Sequence, residues 1–370
     1  MESDSIENEE LSWRVLDLPI NATITRPADR DLHPAVVFVS GSGPTDRDWC
    51  SPLLRGKNGS AKLLAEKLAN EGFVTLRYDK LGSGSKVREY LPKFAGKVSM
   101  QTHVDQLAGA VQTIISENNV DRENLFVLTN SEGAIHAVNY QLQAKDNRFK
   151  GLVLTGAPGR TVGEVARNQI LDQLNQLHNA KGATGFLIRL ISKIKPLPDT
   201  ETTMKYYDKA VLEFLEGGTM NTDPSLLKGI RKLLLGLAKP ANQPFSRELW
   251  AYNLKDHITK IDEPILVLIG KKDIQVDWMI DGNALENTTA QKSSVTLVYP
   301  ENANHLLKHE ERPREKLDAR YVGSHYNDAK AQLDQEAVDV ITTWLKKTGD
   351  EKGISGTHSK VSWAANSQTR

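Results

Sequence analysis

LFVLTNSEGAIHA, residues 125–137, is the stretch that decides the fold. Its first half, LFVLT, is an unbroken apolar and β-branched run, the composition of a strand buried on both faces of a parallel sheet. Its second half opens a helix of small residues, with Ser131 and Gly133 at the junction. A strand, a sharp turn and a helix in so short a span hold the Ser131 hydroxyl out at the top of a sheet, beside the positive end of a helix. The same residues can also be read structurally, with Ser131 as a helix N-cap, so the turn alone leaves both readings open.

The strand signature recurs on either side of this turn. AVVFVS (35–40) ends in the Gly-rich turn GSGP, and FVTLRYD (73–79), GLVLTG (151–156), PILVLIG (264–270) and SVTLVYP (294–300) repeat the pattern. SWRVLDLPINATITR (12–26) alternates around Pro19 and predicts two short antiparallel strands at a sheet edge. Between strands, Ala61, Leu64, Ala65 and Leu68 share one helical face, as do Val104, Leu107, Val111, Ile114 and Ile115. Near residue 340, DQEAVDVITTWLKK supplies the last core helix. Strands alternating with helices predict a doubly wound, mostly parallel eight-stranded α/β sheet.

The alternation breaks between Gly159 and Pro244, where VGEVARNQILDQLNQL, GFLIRLISKI, TMKYYDKAVLEFLE and SLLKGIRKLLLGLA follow one another without a strand. An all-helical insertion there would lie above the carboxyl ends of the strands and is expected to form a cap over a ligand, with a plain helical subdomain as the alternative. The chain therefore divides into a first core part (12–158), a helical cap (159–244), a second core part (245–347) and a polar, flexible tail (348–370). Apolar and aromatic cap residues such as Phe186, Tyr206, Tyr207 and Phe214 suit an apolar substrate group and equally suit helix packing.

Lys plus Arg and Asp plus Glu both number 47, so no net positive field is available to collect nucleic acid or an anionic membrane. A small-molecule partner fits better. Cys50 is the single cysteine, which excludes a disulfide-stapled fold. The opening MESDSIENEE is acidic and lacks an apolar core, so neither a signal peptide nor a membrane anchor is expected, and the default location is cytoplasmic.

A serine nucleophile needs a base to take its proton and an acid to hold that base. Asp273 follows the strand PILVLIG and His305 follows SVTLVYP, so both are expected on the sheet edge that carries Ser131, in the chain order Ser, Asp, His. Asp277 competes for the acid role four residues later. His309 reads as solvent-exposed and His136 as a packing residue within the helix after Ser131. Donors for a developing oxyanion are expected from the main-chain N–H of Glu132 and from the GSGP turn, with Ser42 preferred to Gly43. No metal or organic cofactor is called for.

With these residues assembled, the chain resembles a group of α/β hydrolases: bacterial esterases related to the dienelactone-hydrolase-like and serine-aminopeptidase-like enzymes. VFVSGSGPTDRDW looks like their V-x-G-S-G-P-x-D-R-D signature, and RYDKLGSGSK is similar to R-Y-D-K-R-G-x-G-x-S with Leu81 for the second basic residue. NSEGA matches their H-S-E-G-G elbow with Asn130 for His and Ala134 for the last Gly, while GKKDIQV and NANHLLK resemble the segments that supply acid and base. The resemblance implies an α/β-hydrolase fold, catalytic roles for Ser131, Asp273 and His305, and oxyanion donors at Ser42 and Glu132. It also implies that Asp46, Arg47, Asp48, Arg77 and Asp79 brace the oxyanion loop. The expected activity is hydrolysis of short to medium acyl esters through an acyl-enzyme. A serine aminopeptidase or amidase, and a catalytically inactive binding module, are the alternatives. Thr129 and Asn130 keep the last of these open: Thr129 stands where the G-x-S-x-G elbow has its first glycine, and its β-branch is expected to crowd the turn, while Asn130 stands where the elbow of the resembled group has His.

Overall fold

A computed structural model describes residues 6–178, 199–218 and 228–350. The apolar runs become one sheet of eight strands: β1 (Ile6–Val15), β2 (Leu18–Pro27), β3 (His33–Val39), β4 (Val74–Tyr78), β5 (Val120–Asn130), β6 (Gly151–Thr155), β7 (Ile265–Leu268) and β8 (Val295–Val298). Their spatial order is β1-β2-β4-β3-β5-β6-β7-β8. From β4 to β8 every pairing is parallel, and only the β1–β2 and β2–β4 pairings are antiparallel.

Alternate residues of each central strand feed two separate apolar cores. Val37, Val127 and Leu154 point to the face covered by the helices Met100–Ile115 and Gly133–Gln143. Val36, Phe38, Phe126 and Leu128 point to the opposite face, where the helices Ser60–Asn70 and Gln335–Asp350 pack. Burial on both faces is what an unbroken apolar strand requires. Ser99 caps the helix Met100–Ile115 reciprocally with Thr102, satisfying two otherwise open main-chain donors.

The edge hairpin differs from expectation. β1 and β2 are ten residues each, and β1 starts at Ile6 rather than near residue 12. The stretch IENEE carries no apolar alternation, so nothing in its hydrophobic pattern announces a strand. It is held instead by polar pairs across the hairpin: Arg26 bridges Glu7 and Glu9, Thr25 donates to Asn8, and Thr23 donates to Glu10. A charged outer strand also guards the sheet edge against further pairing.

Between β6 and β7 the described residues hold helices and no strand. The first of them, Val162–His178, packs with Thr200–Leu215 and Lys228–Leu237 around Ile170, Leu174, Tyr207, Phe214 and Leu234. Tyr207 and Phe214 are thus the insertion's own packing core. GFLIRLISKI, with Phe186, and the polar tail from residue 351 lie outside the described residues. Gln169, on the first insertion helix, donates to the carbonyl of Gln275 at 2.9 Å, so this helix rests on the loop after β7, at the carboxyl edge of the sheet. No helix among the described residues is long and apolar enough to cross a membrane.

Candidate active site

Ser131 sits at the junction of β5 and the helix Gly133–Gln143 with φ +54°, a left-handed conformation that costs a non-glycine residue energy. The N-cap of that helix is Glu132, and no side-chain capping bond is made there, so the capping interpretation does not describe this serine. The turn is held from several sides. The Ser131 N–H donates to Thr155 O at 2.8 Å. Gly133 packs so closely on β3 that a Cβ there would stand 2.5 Å from Val39 O. Thr129 does not crowd the turn: its hydroxyl donates to Val153 O at 3.2 Å, and its own carbonyl accepts from Thr155 Oγ1 at 2.6 Å. The β-branched side chain faces β6 and leaves the elbow free.

Asp273 and His305 lie in the loops after β7 and β8, which are neighbours in the sheet. His305 Nδ1 is 2.7 Å from Asp273 Oδ2, and both side chains are buried. The other carboxylate oxygen accepts from the N–H groups of Gln275 and Val276, at 2.7 and 3.0 Å, which fixes the carboxylate plane. Asp277 is engaged elsewhere, capping the turn Trp278–Gly282 and pairing with Arg314 at 2.7 Å. Arg314 also donates to the Asp273 carbonyl at 3.0 Å. His309 is partly exposed and sits 2.9 Å from Asp334.

Two contacts tie His305 to residues that adjoin or bind Ser131. Gly156, next to the Thr155 that binds Ser131, lies under the imidazole: a Cβ there would be 3.0 Å from His305 Cε1. Asn130 donates its side-chain amide to His305 O at 2.8 Å. On the other side of Ser131, a Cβ on Gly41 would stand 3.3 Å from Ser131 Cβ, so the turn that continues through Ser42 runs beside the serine. The Ser42 side chain is exposed, and Gly43 has φ +70° with open space around it. Behind this turn, Arg47 joins Asp79, Glu10 and Thr23, while Arg77 pairs with Asp48. Asp46 receives the N–H groups of Asp48 and Cys50.

The side chain of Glu132 turns inward, away from the role its N–H was expected to play. Its carboxylate lies 3.4 Å from Lys80 Nζ and 3.1 Å from His136 Nε2, all buried. Burial alone would raise this carboxyl, but the Lys80 ammonium and the His136 hydrogen bond outweigh it and hold it well below the usual carboxylate range. His136 stacks on His103, with ring centroids 4.3 Å apart, and His103 lies against Phe245 at 4.5 Å with the rings tilted by 43°. His136 is therefore more than packing.

His103, Glu132 and His136 bring ligand atoms within 4.8 Å of one another, the spacing of a candidate metal site. Two features argue against a cation there. Rings stacked at an interplanar angle of 14° aim their in-plane lone pairs side by side rather than at one point, and the Lys80 ammonium already neutralises the carboxylate. The cluster reads better as a buried polar network. Lys80 and Arg314 have no individual role in the sequence reading, whereas Asn130 stands out there only as the residue in place of the elbow's His. For Lys80 and Asn130 the available signal was their place in the RYDK and NSEG blocks, and for Arg314 there was none.

The serine aminopeptidase, S33, family matches residues 57–243, half of the chain. The chain is similar to Esterase EstD of Thermotoga maritima, 23% identical over 342 residues that cover 91% of this chain and 68% of that protein. It is also similar to a proline iminopeptidase of Flavobacterium johnsoniae, 24% identical over 254 residues, 64% of this chain and 75% of the relative. Among solved structures, the α/β hydrolase GrgF from Penicillium sp. sh18 matches with a TM-score of 0.51 and 13% identity over 92% of this chain and 99% of that one, a likeness of fold.

Proposed function

The chain belongs to the serine aminopeptidase, S33, family of the α/β-hydrolase superfamily, and from that premise we propose that it is a serine esterase cleaving short to medium acyl esters. The observation that carries this reading is the buried 2.7 Å contact between His305 and Asp273, beside a serine held at φ +54°. With its Nδ1–H donated to Asp273, His305 keeps Nε2 as the basic nitrogen. That nitrogen takes the Ser131 proton as Oγ attacks the ester carbonyl, and Asp273 stabilises the imidazolium that results. The N–H groups of Ser42 and Glu132 receive the oxyanion. Collapse of the tetrahedral adduct expels the alcohol, which takes the proton from His305, and water attacks the acyl-enzyme by the same route in reverse.

Among the described residues, three carboxylates near the site are already paired, which supports ester rather than peptide hydrolysis. An aminopeptidase needs a free acid to hold the substrate ammonium. Glu132 is occupied by Lys80 and His136, Asp277 by Arg314, and Asp281 by Arg160 at 2.7 Å. The likeness to Esterase EstD points the same way. The test is hydrolysis of p-nitrophenyl esters of increasing acyl length against aminoacyl anilides, by wild type and Ser131→Ala. Ester turnover by wild type alone is expected. Faster anilide turnover, or equal rates from both proteins, would overturn the reading.

A further inference from the structure

We propose that Lys80 is a positioning residue for the oxyanion site: anchored on Glu132, it grips the Gly41 carbonyl and thereby turns the Ser42 N–H toward the carbonyl attacked by Ser131. This rests on the esterase reading above. Lys80 lies just past β4 and is buried, with its Nζ donating to Gly41 O and standing 3.4 Å from Glu132 Oε1. The peptide linking Gly41 to Ser42 is planar and trans, so its C=O and N–H point in opposite directions. A donor that captures the carbonyl from inside the protein leaves the N–H facing outward. Outward here means toward the serine, because Gly41 itself packs against Ser131.

Glu132 gives the arrangement its second half. Its own main-chain N–H is the other proposed donor, so one buried ion pair ties together the two residues that must receive the same oxygen. His136 Nε2, 3.1 Å from the same carboxylate oxygen, keeps Glu132 from swinging away. Oxyanion stabilisation depends on donors that are already oriented before charge develops. The loops of Gly41 and Glu132 leave the neighbouring strands β3 and β5, whose pairing ends at Val39 and Thr129, and the Lys80 contacts join the residues just beyond it.

Lys80→Met tests this, and the double variant Lys80→Met/Glu132→Gln repeats the test without leaving a buried carboxylate unpaired, the usual reason such a change prevents folding. Rates are read on p-nitrophenyl butyrate, and affinity on a trifluoromethyl ketone of matching length, which adds to the serine and places its oxyanion at the donors. The expected result is a fall in kcat of roughly 10- to 100-fold, smaller than the roughly 100- to 1,000-fold loss from deleting a donor outright. KM should stay within about threefold, and ketone affinity should weaken by the same factor as kcat/KM falls. A folded double variant that keeps kcat within about threefold, or loses it while binding the ketone as wild type does, overturns the assignment. Wild type that neither turns over the ester nor labels with a fluorophosphonate at Ser131 instead overturns the esterase reading on which the assignment rests.

Discussion

Asn130 donates its side-chain amide to the main-chain carbonyl of His305 across 2.8 Å, so the residue before the serine grips the loop that carries the imidazole. The amide is buried and its oxygen packs against Gly41, which leaves it little freedom. Asn130→Ala removes this tie and leaves a buried carbonyl without its donor. The expected cost is about 1–3 kcal/mol of stability, measured by urea unfolding. Ester kcat/KM should fall about tenfold or more as the ring loses its register with Ser131. Unchanged kcat/KM in a folded variant would show that the His305 loop holds its own position.

Gly156→Ala should separate activity from stability in the other direction. Gly156 has φ +55°, where an alanine costs about 1 kcal/mol. The added methyl would lie 3.0 Å from His305 Cε1 and 3.1 Å from Nδ1, closer than ring and methyl tolerate, so the imidazole must shift. Because misplacement by about 1 Å costs about 100-fold in rate, the variant should lose at least tenfold in kcat while melting only a few degrees lower. Steady-state kinetics beside a thermal melt checks both halves.

What the sequence could disclose followed from what leaves a trace in it. Unbroken apolar runs must be buried on both faces, so the parallel strands and their alternation with helices were legible from residue type alone. The meeting of Asp273 and His305 was legible too, because each follows a strand and the two strands are neighbours. β1 was legible only in part, since its first residues pair through Arg26, Thr23 and Thr25 and carry no hydrophobic period. The grip of Asn130 on His305 leaves no pattern, because a main-chain carbonyl accepts from any donor brought to it. Lys80 and Glu132, 52 positions apart, meet only through the sheet order, and nothing in either segment marks the pair.

Asp46 should make the protein less stable as pH rises through the mildly acidic range. Burial pushes its carboxyl up to about 6, and the charges of Asp48 and Asp79 add to this against the N–H groups of Cys50 and Asp48. In the unfolded chain the proton leaves near 3.8, so between that pH and about 6 the folded state holds the extra proton. Stability from this group is therefore present at low pH, falls across that window and is flat above it. Asp46→Asn keeps the oxygen that accepts from Cys50 and Asp48 and removes the ionisation. The variant should match wild type near pH 4 and exceed it by about 1 kcal/mol at pH 7.5, a figure reduced to allow for solvent on the outer side of the carboxyl. Unfolding curves at the two pH values decide it, and a constant difference would rule it out.

His103 should contribute acid sensitivity of the opposite sign. It is buried against the rings of His136 and Phe245, and burial first, then the neighbouring His136 and Lys80, hold it well below its ordinary 6.5 against the opposing pull of the Glu132 carboxylate. The unfolded chain takes up a proton near 6.5 that the folded chain refuses, so stability is complete above that pH and drains away as pH falls. His103→Phe keeps an aromatic ring in the stack and removes the titrating group. Comparing the two proteins cancels the Asp46 contribution, which they share. Glu132 is held low by its partners, so it loses stability only as pH drops below the ordinary carboxylate value of 4.5, beneath the His103 window. Between pH 7.5 and 5, wild type should therefore lose about 1–2 kcal/mol more than His103→Phe, read as the change in urea midpoint at constant slope. Parallel pH profiles for the two proteins would mean that His103 accepts its proton without leaving the stack.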